Sequence, residues 1–322
     1  MYQRLLSDHL KGGAEVQIGF VEGPDPDWMS RLIPFLGHKE PWFEYHIAKA
    51  LAEPLDDLRT RFYVGTVRDE IVAHIMVVSA RGAGILGHVY TVPEWRRQGA
   101  VSAVMQAQMR DVADLDVVTL STGFGSAAYG IYHGFGFRSM VDGSGDMRWL
   151  SGAETDFFKP AGCSVQSMRW DDWPHYSWAT LQEFANEPAP RSAAFGINQR
   201  GSSEGSFVRI MQSALGRRST HLILRSELGA VVGWCHIVPG QAPLTGTYVL
   251  DLHTVPGFES HIPALLEAVS WPEGPVTFTM SPPAAAYADA LSEAGFAVDR
   301  GLSDAVAAVG KSAPLDVWIR NV

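Results

Sequence analysis

Cysteine is nearly absent from this 322-residue sequence, which contains only Cys163 and Cys235. The two lie far apart and no Cys-x-x-Cys pair occurs, so we expect neither a disulfide framework nor a metal site. Long apolar runs are also lacking, because no stretch reaches the roughly 18 apolar residues of a membrane span. The first residues include Asp8 and Glu15 and do not form the apolar core of a secretory signal. We therefore expect a cytoplasmic protein without a membrane partner.

Positive charge is scarce as well, with 25 Lys and Arg against 35 Asp and Glu, which gives a formal net charge of -10. A general nucleic-acid-binding surface needs a broad excess of basic residues, so we expect no nucleic-acid partner. With 46% hydrophobic and 19% charged residues, the chain has the composition of a folded protein and is long enough for two domains.

The first half of the chain has a strand-rich centre. Three segments rich in β-branched and aromatic residues are separated by tight turns, which predicts an antiparallel meander of "RFYVGTV" (61–67), "IVAHIMVVSA" (71–80) and "ILGHVYTV" (85–92). Pro93 ends the last of these strands. Beyond Gly99, apolar residues recur at helical spacing, which predicts an amphipathic helix with the apolar positions Val101, Val104, Met105, Met109 and Val112.

Further elements flank this meander. Upstream, "DPDWMSRLIPFL" (25–36) and "PWFEYHIAKALAEPL" (41–55) read as helices, the first with Asp25 or Asp27 placed to cap it. Downstream, a short strand "DVVTLST" is followed by a glycine-containing loop and the aromatic segment "YGIYHGFGF". The segment from 149 to 162 has neither helical nor strand periodicity, so we interpret it as a connector between domains.

The second half repeats two anchors of the first half in the same order. "YTVPEW" (90–95) corresponds to "HTVPGF" (253–258), and "AAYGIYHGFGF" (127–137) corresponds to "AAYADALSEAGFAV" (285–298). Each match is weak alone, but the pair predicts a duplicated fold. We place the two domains at residues 1–150 and 163–322.

Arg96, Arg97 and Gly99 stand directly before the predicted central helix. The free N–H groups of a first helical turn and the positive end of the helix dipole favour an anion at this point. The alternative is a surface turn that opens a helix and carries two solvated arginines.

The spacing Arg96-x-x-Gly99, followed by Tyr132-x-x-x-Gly136-Phe137, is similar to the motifs of the GCN5-related N-acetyltransferase (GNAT) family. The resemblance covers roughly residues 15–150. It implies an α/β (α+β) fold in which each of two tandem GNAT-like domains has a mixed, mostly antiparallel sheet flanked by helices. Two positions depart from the family pattern: Val101 stands where Gly or Ala is expected, and Gly125 stands where the family often has Asn.

The same resemblance implies a coenzyme A site, with acetyl-CoA as the co-substrate. Backbone N–H groups of the loop would hold the diphosphate, and the strand before it would run along the pantetheine arm. The resemblance also implies a bulge in this strand that splays two strands apart, but its position does not follow from the sequence. The cofactor-binding residues implied in this way are Val89, Tyr90, Thr91, Arg96, Arg97, Gln98, Gly99, Ala100, Val101 and Ala128.

The resemblance assigns Tyr132 the role of general acid that protonates the thiolate of the leaving group. The alternative is a tyrosine that only packs its helix against the sheet. A general base near the strand would accept the proton of the attacking amine, and our first candidate is His88, ahead of Glu94 and of Glu44 or His46. A lone histidine on a strand is more often structural.

The segment 36–46, "LGHKEPWFEYH", is the expected acceptor-binding region, since the resemblance places acceptor specificity before the meander. It offers aromatic walls and carboxylates suited to a cationic amine, with His38, Glu40, Trp42, Phe43, Glu44 and Tyr45. Alternatively, the aromatic residues pack the second helix onto the sheet.

The second domain lacks the residues of both motifs. It has Glu259-Ser-His-Ile262 in place of Arg96-x-x-Gly99, and Leu291 in place of Tyr132. We therefore expect a degenerate GNAT-like domain with a structural or substrate-shaping role.

Together these features predict an acyl-CoA-dependent N-acyltransferase that transfers acetyl from acetyl-CoA to a primary amine of a small molecule, by direct attack in a ternary complex. No Gly-x-Ser-x-Gly elbow is present, and neither cysteine lies near a motif, which agrees with direct attack. A non-catalytic acyl-CoA-binding module and a thioester decarboxylase on the same scaffold remain alternatives. We expect a monomer or homodimer.

Overall fold

The computed structural model describes residues 2–39, 41–152, 157–159, 162–185, 203–214, 219–240, 246–280, 285–308 and 311–321. The chain divides into two compact units. Unit 1 comprises Met1–Glu154 and Trp170–Ser177, and unit 2 comprises Thr155–Arg169 and Trp178–Val322. Among the helices that the model describes, none is both long enough and apolar enough to cross a membrane.

Unit 1 contains eight strands and four α-helices within its described residues. The strands are β1 (Tyr2–His9), β2 (Glu15–Glu22), β3 (Arg59–Val67), β4 (Glu70–Ala80), β5 (Ala83–Thr91), β6 (Val117–Ser121), β7 (Arg138–Ser139) and β8 (Asp146–Leu150). The helices are α1 (Met29–Leu36), α2 (Pro41–Ala52), α3 (Ala100–Asp111) and α4 (Ala127–Gly134).

These strands form one sheet in the order β1-β2-β3-β4-β5-β6-β8-β7. All neighbouring pairs are antiparallel except β5 and β6, which run parallel and are connected through α3. The pairing of β5 with β6 is short, extending from Ala83 opposite Val117 to Ile85 opposite Thr119. Beyond Ile85, β5 continues to Thr91 without β6 as a ladder partner.

The core of unit 1 lies between the sheet and α3. The buried face of α3 includes Ala100, Val104 and Met105, which pack with apolar residues of the strands and with Tyr132 and Phe137. Three of the five apolar positions predicted for this helix are buried, and Val101 and Met109 are half-buried against the same core. The predicted amphipathic helix is therefore confirmed.

The segment Trp170–Ser177 groups with unit 1, although sequence analysis placed it in the second domain. The guanidinium of Arg81 pairs with the carboxylates of Asp171 and Asp172, and both carboxylates are almost fully buried. The buried ring of His46 contacts Trp170 and Trp173 at centroid distances of 5.9 and 4.6 Å. Charge pairing and ring packing thus account for the position of this segment.

Within its described residues, unit 2 has the same strand order as unit 1 but no counterpart of β1. Its strands are β9 (Cys163–Ser167), β10 (Thr220–Ser226), β11 (Val231–Pro239), β12 (Tyr248–Thr254), β13 (Val276–Met280), β14 (Ala297–Ala308) and β15 (Lys311–Arg320). Its sheet order is β14-β15-β13-β12-β11-β10-β9, with β12 and β13 parallel. The remaining helices are α5 (Trp173–Ala185), which begins in unit 1, α6 (Ser203–Ala214), α7 (Ile262–Glu267) and α8 (Ala285–Glu293).

The ends of α4 and α8 show that the two halves correspond in detail. The N–H of Phe137 donates to the carbonyl of Tyr132 at 3.1 Å, and the N–H of Phe296 donates to the carbonyl of Leu291 at 2.9 Å. A left-handed glycine precedes each phenylalanine, as expected for this helix end. Equal strand order and equal helix ends confirm the predicted fold class of two mixed, mostly antiparallel sheets flanked by helices.

Several features differ from the sequence analysis, among them the hairpin of β1 and β2, neither strand of which was predicted. Strand β1 was not predicted, because "YQRLLSDH" lies at the sheet edge, where its mostly exposed residues do not alternate between polar and apolar. Asp25 occupies the N-cap of a 3-10 helix at Pro26–Trp28, without a capping hydrogen bond from its side chain, and α1 begins only at Met29.

Candidate functional site

The loop between β5 and α3 presents backbone N–H groups at a helix N-terminus. Gly99 is the N-cap of α3 with φ of +93°, and Arg97 has φ of +63°. The N-cap provides no side-chain acceptor, so the N–H groups of the first turn are not capped by it. A Cβ at Gly99 would meet no atom within 4 Å, so the space beside this glycine is open. The loop therefore has the geometry of an anion site.

The side chains of this loop mainly tie it to its neighbours. Arg96 donates from Nε to the carbonyl of Thr91 at 3.0 Å, and its guanidinium lies 5.8 Å from the ring centre of Tyr90. Gln98 donates from Nε2 to the carbonyl of Glu94 at 2.8 Å. Arg97 is exposed. Arg96 thus connects the end of β5 to the loop.

A cavity of about 360 Å³ lies beside the loop. One wall is the outer face of α3, and the opposite wall comes from the turn between β1 and β2. The N–H of Lys11 in that turn donates to the carbonyl of Gln98 at 3.0 Å. The residues lining the cavity are Asp8, His9, Leu10, Lys11, Gln98, Gly99, Ser102, Ala103, Gln106 and Phe135.

Strand β5 contains a β-bulge immediately before the loop. The pairs on either side of it are His74 with Tyr90 and Met76 with Gly87. Between these pairs β5 has two residues, His88 and Val89, whereas β4 has only Ile75. His88 has φ of +51°, a left-handed conformation that is uncommon for a non-glycine residue. The sequence did not allow this bulge to be located.

The bulge lies where β5 has already separated from β6. Paired backbone groups end at Ile85, so the following residues of β5 face a gap between two diverging strands. A bulge leaves the extra residue unpaired in the ladder, which makes its backbone groups available to another partner. The diverging strands, the bulge and the Gly99 loop follow one another along a single continuous segment.

The predicted catalytic residues lie on different faces of the sheet. Tyr132 on α4 is buried in the core below α3, with its ring 6.1 Å from that of Phe137. His88 is buried on the other face, and its ring lies 4.5 Å from that of Phe43 on α2 in an edge contact. Glu94 is exposed in the 3-10 helix that follows β5.

Burial controls the charge of the histidines near the bulge. Desolvation lowers the pKa of His88 well below its usual value, and nearby His46, Lys39, His74 and His38 lower it further. Desolvation also lowers the pKa of His46 to about 3 and that of His74 to about 4. These imidazoles are therefore neutral near pH 7, which makes His88 a weak proton acceptor.

The remaining predicted cofactor-binding residues lie close to these features. Val89, Tyr90 and Thr91 are half-buried at the end of β5, and Ala100 is buried in the first turn of α3. Val101 is half-buried and packs against the core below α3. Ala128 is half-buried in the first turn of α4, whose N-cap Ser126 accepts a hydrogen bond from the N–H of Tyr129 at 3.1 Å.

Aromatic rings and histidines surround the outer side of the bulge. The ring of Tyr90 lies 4.2 Å from His38 and 5.3 Å from Phe35. In the predicted acceptor segment, Trp42 and Tyr45 are half-buried and Glu44 is exposed, while Glu40 is outside the described residues. Phe43 packs against His88, so one aromatic residue of α2 does hold this helix on the sheet.

The corresponding region of unit 2 is built differently. The ladder between β11 and β12 runs from Gly233 to Pro239 without a bulge. Helix α7 has only six residues, and its N-cap His261 is right-handed, whereas the left-handed Gly99 caps α3. The carboxylate of Glu259 accepts a hydrogen bond from the N–H of Gly257 at 2.8 Å. A negative side chain thus occupies a backbone donor near the position of the anion site.

In unit 2, Tyr287 of α8 bonds to the end of the strand that precedes α7. Its hydroxyl accepts a hydrogen bond at 2.8 Å from the N–H of Thr254, the residue that corresponds to Thr91. The ring is 2% exposed. In unit 1 the matching Tyr129 is instead bonded through its hydroxyl to Oγ of Ser139 at 3.0 Å. Tyr287 therefore bonds to a backbone N–H at the strand end of unit 2, whereas the matching tyrosine of unit 1 bonds elsewhere.

Comparison with known proteins gives one family match. Residues 27–151 match the family model described as an acetyltransferase (GNAT) domain. The match begins at α1 and ends after β8, so it includes the bulge, the Gly99 loop and Tyr132. No curated protein matches the sequence.

Solved structures with similar folds each cover about half of the chain. A GNAT-family acetyltransferase from Streptococcus pneumoniae is 12% identical, covering 50% of this chain and 99% of its own, with a TM-score of 0.41. Phosphinothricin acetyltransferase from Sinorhizobium meliloti in complex with AcCoA is 9% identical, with coverages of 50% and 88% and a TM-score of 0.42. Spermidine N-acetyltransferase from Vibrio cholerae in complex with CoA and spermine is 8% identical, with coverages of 49% and 95% and a TM-score of 0.36.

Proposed function

Because residues 27–151 carry a GNAT acetyltransferase domain, we propose that the protein transfers an acetyl group from acetyl-CoA to a primary amine of a small molecule. The observation that carries this proposal is the bulge at His88 and Val89, next to diverging strands and followed by the left-handed Gly99 loop. This succession offers backbone donors both to a diphosphate and to a thioester carbonyl. A fold alone would support neither donor set.

Several features of unit 1 support binding of acetyl-CoA. The open space at Gly99 lets a diphosphate approach the first turn of α3, and Ala100 and Val101 turn inward toward the core. The branched side chain of Val101, which departs from the family pattern, thus packs against apolar residues. The cavity beside Lys11 and Gln98 adjoins this loop and would receive the adenosine part of the molecule.

Acetyl-CoA supplies the acetyl group as a thioester, which an amine can attack without an acyl-enzyme. In this proposal the backbone N–H of Val89 donates a hydrogen bond to the thioester carbonyl oxygen, where negative charge develops. Tyr132 donates its phenolic proton to the sulfur as the carbon–sulfur bond breaks, and is reprotonated from solvent. The nitrogen–carbon bond forms, the amine loses one proton, and the products are the amide and free CoA.

The low pKa of His88 changes the assignment of the base. An imidazole whose pKa lies well below its usual value is a poor base, because it does not readily accept a proton near pH 7. We propose that the amine proton leaves to water at the mouth of the site, where Glu94 is an exposed carboxylate. His88 then contributes its backbone to the bulge and its ring to the wall of the acceptor region.

Unit 2 is proposed to be a degenerate domain that does not bind acetyl-CoA in the same manner. Three observations support this: the regular ladder of β12, the Glu259 carboxylate on a backbone donor, and the hydroxyl of Tyr287 on the N–H of Thr254. The first leaves this strand without a bulge, and the other two each place a side chain on a backbone N–H. The proposed domain boundaries remain 1–150 and 163–322, with the segment 170–177 packing on unit 1.

The proposal is tested by incubating the purified protein with acetyl-CoA and a panel of primary amines while measuring free thiol. Amine-dependent release of CoA, together with the acetylated amine in the mass spectrum, would support the transferase. Binding of acetyl-CoA without release for any amine would instead support a non-catalytic acyl-CoA-binding module. Breakdown of malonyl-CoA without an amine would identify a decarboxylase.

A further inference from the structure

The bulge is held by a side chain of the neighbouring strand. Nδ1 of His74 on β4 lies 3.0 Å from the carbonyl oxygen of His88. A carbonyl only accepts hydrogen bonds, so the proton of this imidazole must be on Nδ1. His74 is fully buried, and desolvation lowers its pKa to about 4, so the ring is neutral over the usual pH range.

His74 pulls this carbonyl toward one particular face of the sheet. The His74 ring lies 6.3 Å from Phe35 of α1 and 6.0 Å from Phe62 of β3, so it belongs to the face covered by α1. Its neighbours along β4, Ala73 and Ile75, point to the opposite face and join the core below α3. The carbonyl of His88 is therefore turned away from α3.

Peptide geometry then fixes the direction of the next N–H group. The bond between His88 and Val89 is trans, since the only cis bond found among the described residues joins Gly23 and Pro24. In a trans peptide the carbonyl and the following N–H point in opposite directions. The N–H of Val89 therefore points toward the face of α3, where the side chain of Tyr132 is also located.

Packing alone does not explain a histidine at position 74. Among the described residues its buried Nε2 has no hydrogen-bond partner, and burying an unpaired polar nitrogen is unfavourable. Phe35 and Phe62 would be as well packed by an apolar ring at lower cost. The hydrogen bond to the bulge is the feature that such a ring could not supply.

We propose that His74 is a positioning residue for acyl transfer: its Nδ1–H fixes the His88 carbonyl and so directs the N–H of Val89 at the carbonyl oxygen of the bound thioester. This inference rests on the proposed function, because it assumes that an acyl-CoA occupies the gap beyond Ile85. His74 does not touch the reacting atoms. Its effect passes through one peptide unit.

Three substitutions of His74 distinguish the effect of its hydrogen bond to the His88 carbonyl from the effect of its packing. His74→Asn keeps an N–H donor near the position of Nδ1, His74→Gln places its donor one bond further out, and His74→Phe has no donor. The matched control is His46→Phe, which replaces another fully buried histidine of unit 1. His46 packs on Trp170 and Trp173 and its pKa is lowered to about 3, so it is a poor base and has no part in the proposed reaction. Within the described residues neither of its ring nitrogens has a hydrogen-bond partner, so this control changes burial and volume without removing a bond.

The first readout is the ratio of the dissociation constants for CoA and acetyl-CoA, measured by calorimetry without an amine. A hydrogen bond to the acyl carbonyl predicts that the wild type prefers acetyl-CoA by about fivefold. We expect the ratio to fall to about 1 in His74→Phe and His74→Gln and to be retained in His74→Asn and His46→Phe. Affinity for CoA itself should change by less than about twofold, because the diphosphate loop is intact.

The second readout is turnover with an amine that the wild type accepts. We expect kcat of His74→Phe to be at least about tenfold lower than that of the wild type, with little change in KM for acetyl-CoA. In His74→Asn we expect kcat to return toward the wild-type value. If His74→Phe does not fold, His74→Asn is compared with His74→Gln instead. Equal dissociation-constant ratios and equal kcat values for these two variants would overturn the inference. Equal ratios and equal kcat for His74→Phe and His46→Phe would overturn it as well.

The two readouts also separate this inference from the proposed function. A wild type that prefers acetyl-CoA in a His74-dependent manner, yet turns over no amine, would support the role of His74 and contradict the transferase. A wild type that turns over an amine, with no dependence on His74, would contradict only the inference.

Discussion

His46, His74 and His88 are buried in unit 1, and each has at least one ring nitrogen without a hydrogen-bond partner in the part of the chain that the structure describes. Burial lowers their pKa values because the charged imidazolium is poorly solvated there. In the unfolded chain each ring would bind a proton near its usual pKa of 6.5. As pH falls below this value the unfolded state gains protons before the folded state does, so the free energy of unfolding decreases.

We predict a measurable effect for His46, whose folded pKa is about 3. Between about pH 7.5 and about pH 5.5, one such histidine lowers the free energy of unfolding by about 1.4 kcal/mol. His46→Phe should remove this contribution, so its stability should decrease less on acidification than that of the wild type. Urea unfolding at the two pH values measures the difference, and an unchanged pH dependence would contradict the assigned burial of neutral His46.

Tyr132 carries the most direct residue-level prediction about catalysis. Tyr132→Phe removes the proposed proton donor while leaving the ring in the core, so we expect kcat to fall by about 100-fold. Affinity for acetyl-CoA should stay within about twofold of the wild type, since the loop is unchanged. Steady-state kinetics and calorimetry measure the two quantities.

The matched control for this substitution is Tyr129→Phe on the same helix. Its hydroxyl bonds to Ser139, away from the proposed thioester, so kcat should change little. If Tyr132→Phe and Tyr129→Phe had the same kcat, Tyr132 would be a packing residue, which is the alternative that the sequence left open.

Single residues differ in how well the sequence identifies them. Gly99 was identified because the turn before a helix and the paired Tyr132 motif restrict the residue type at that position. His74 was not identified, because its partner is a backbone carbonyl on another strand, and no residue pattern reports such a bond. The pKa of His88 was also inaccessible, since burial is a property of the packed structure.

Elements with a strong periodicity were predicted well. The β3, β4 and β5 meander and helix α3 were predicted within a few residues, because alternating or helical apolar spacing specifies which face is buried. The bulge in β5 was implied by family resemblance but could not be located. A bulge changes the register of pairing by one residue, and the sequence of one strand does not reveal its partner's register.

The hairpin of β1 and β2 adds an element to the proposed acetyl-CoA site that sequence analysis did not anticipate. Its turn reaches the loop through the N–H of Lys11, which donates to the carbonyl of Gln98. The same turn lines the cavity beside α3. The hairpin therefore supports the loop from outside the segment that matches the family model.

We predict that this backbone hydrogen bond contributes to the affinity for acetyl-CoA. Lys11→Pro removes both the N–H and the charge, whereas Lys11→Ala removes only the charge. We expect acetyl-CoA to bind Lys11→Pro about fivefold more weakly than Lys11→Ala, because a less restrained loop must be ordered on binding. Equal dissociation constants for the two variants, measured by calorimetry, would show that the hairpin does not support the loop.

Over the whole chain, two sheets share the same strand order but differ in backbone geometry at the strand that leads into the following helix. Unit 1 has the bulge and the left-handed N-cap, whereas unit 2 has a regular ladder and bonded donors. The duplication was predicted from two short sequence anchors, which correspond to structurally important positions: the strand end before the loop and the helix end after α4 or α8. Because the formal net charge is -10, we expect the proposed anion site to depend on local backbone donors.

Calorimetric titration with acetyl-CoA measures directly whether one of the two similar units, and not both, binds this molecule. We predict one site per chain, abolished by Gly99→Val, because a branched side chain at φ of +93° strains the loop and fills the open space beside it. The matched control is Gly257→Val, which places the same strain at a left-handed glycine of unit 2 and should leave the single site intact. Two sites per chain would show that unit 2 also binds acetyl-CoA. Normal binding by Gly99→Val would show that the Gly99 loop is not the binding site.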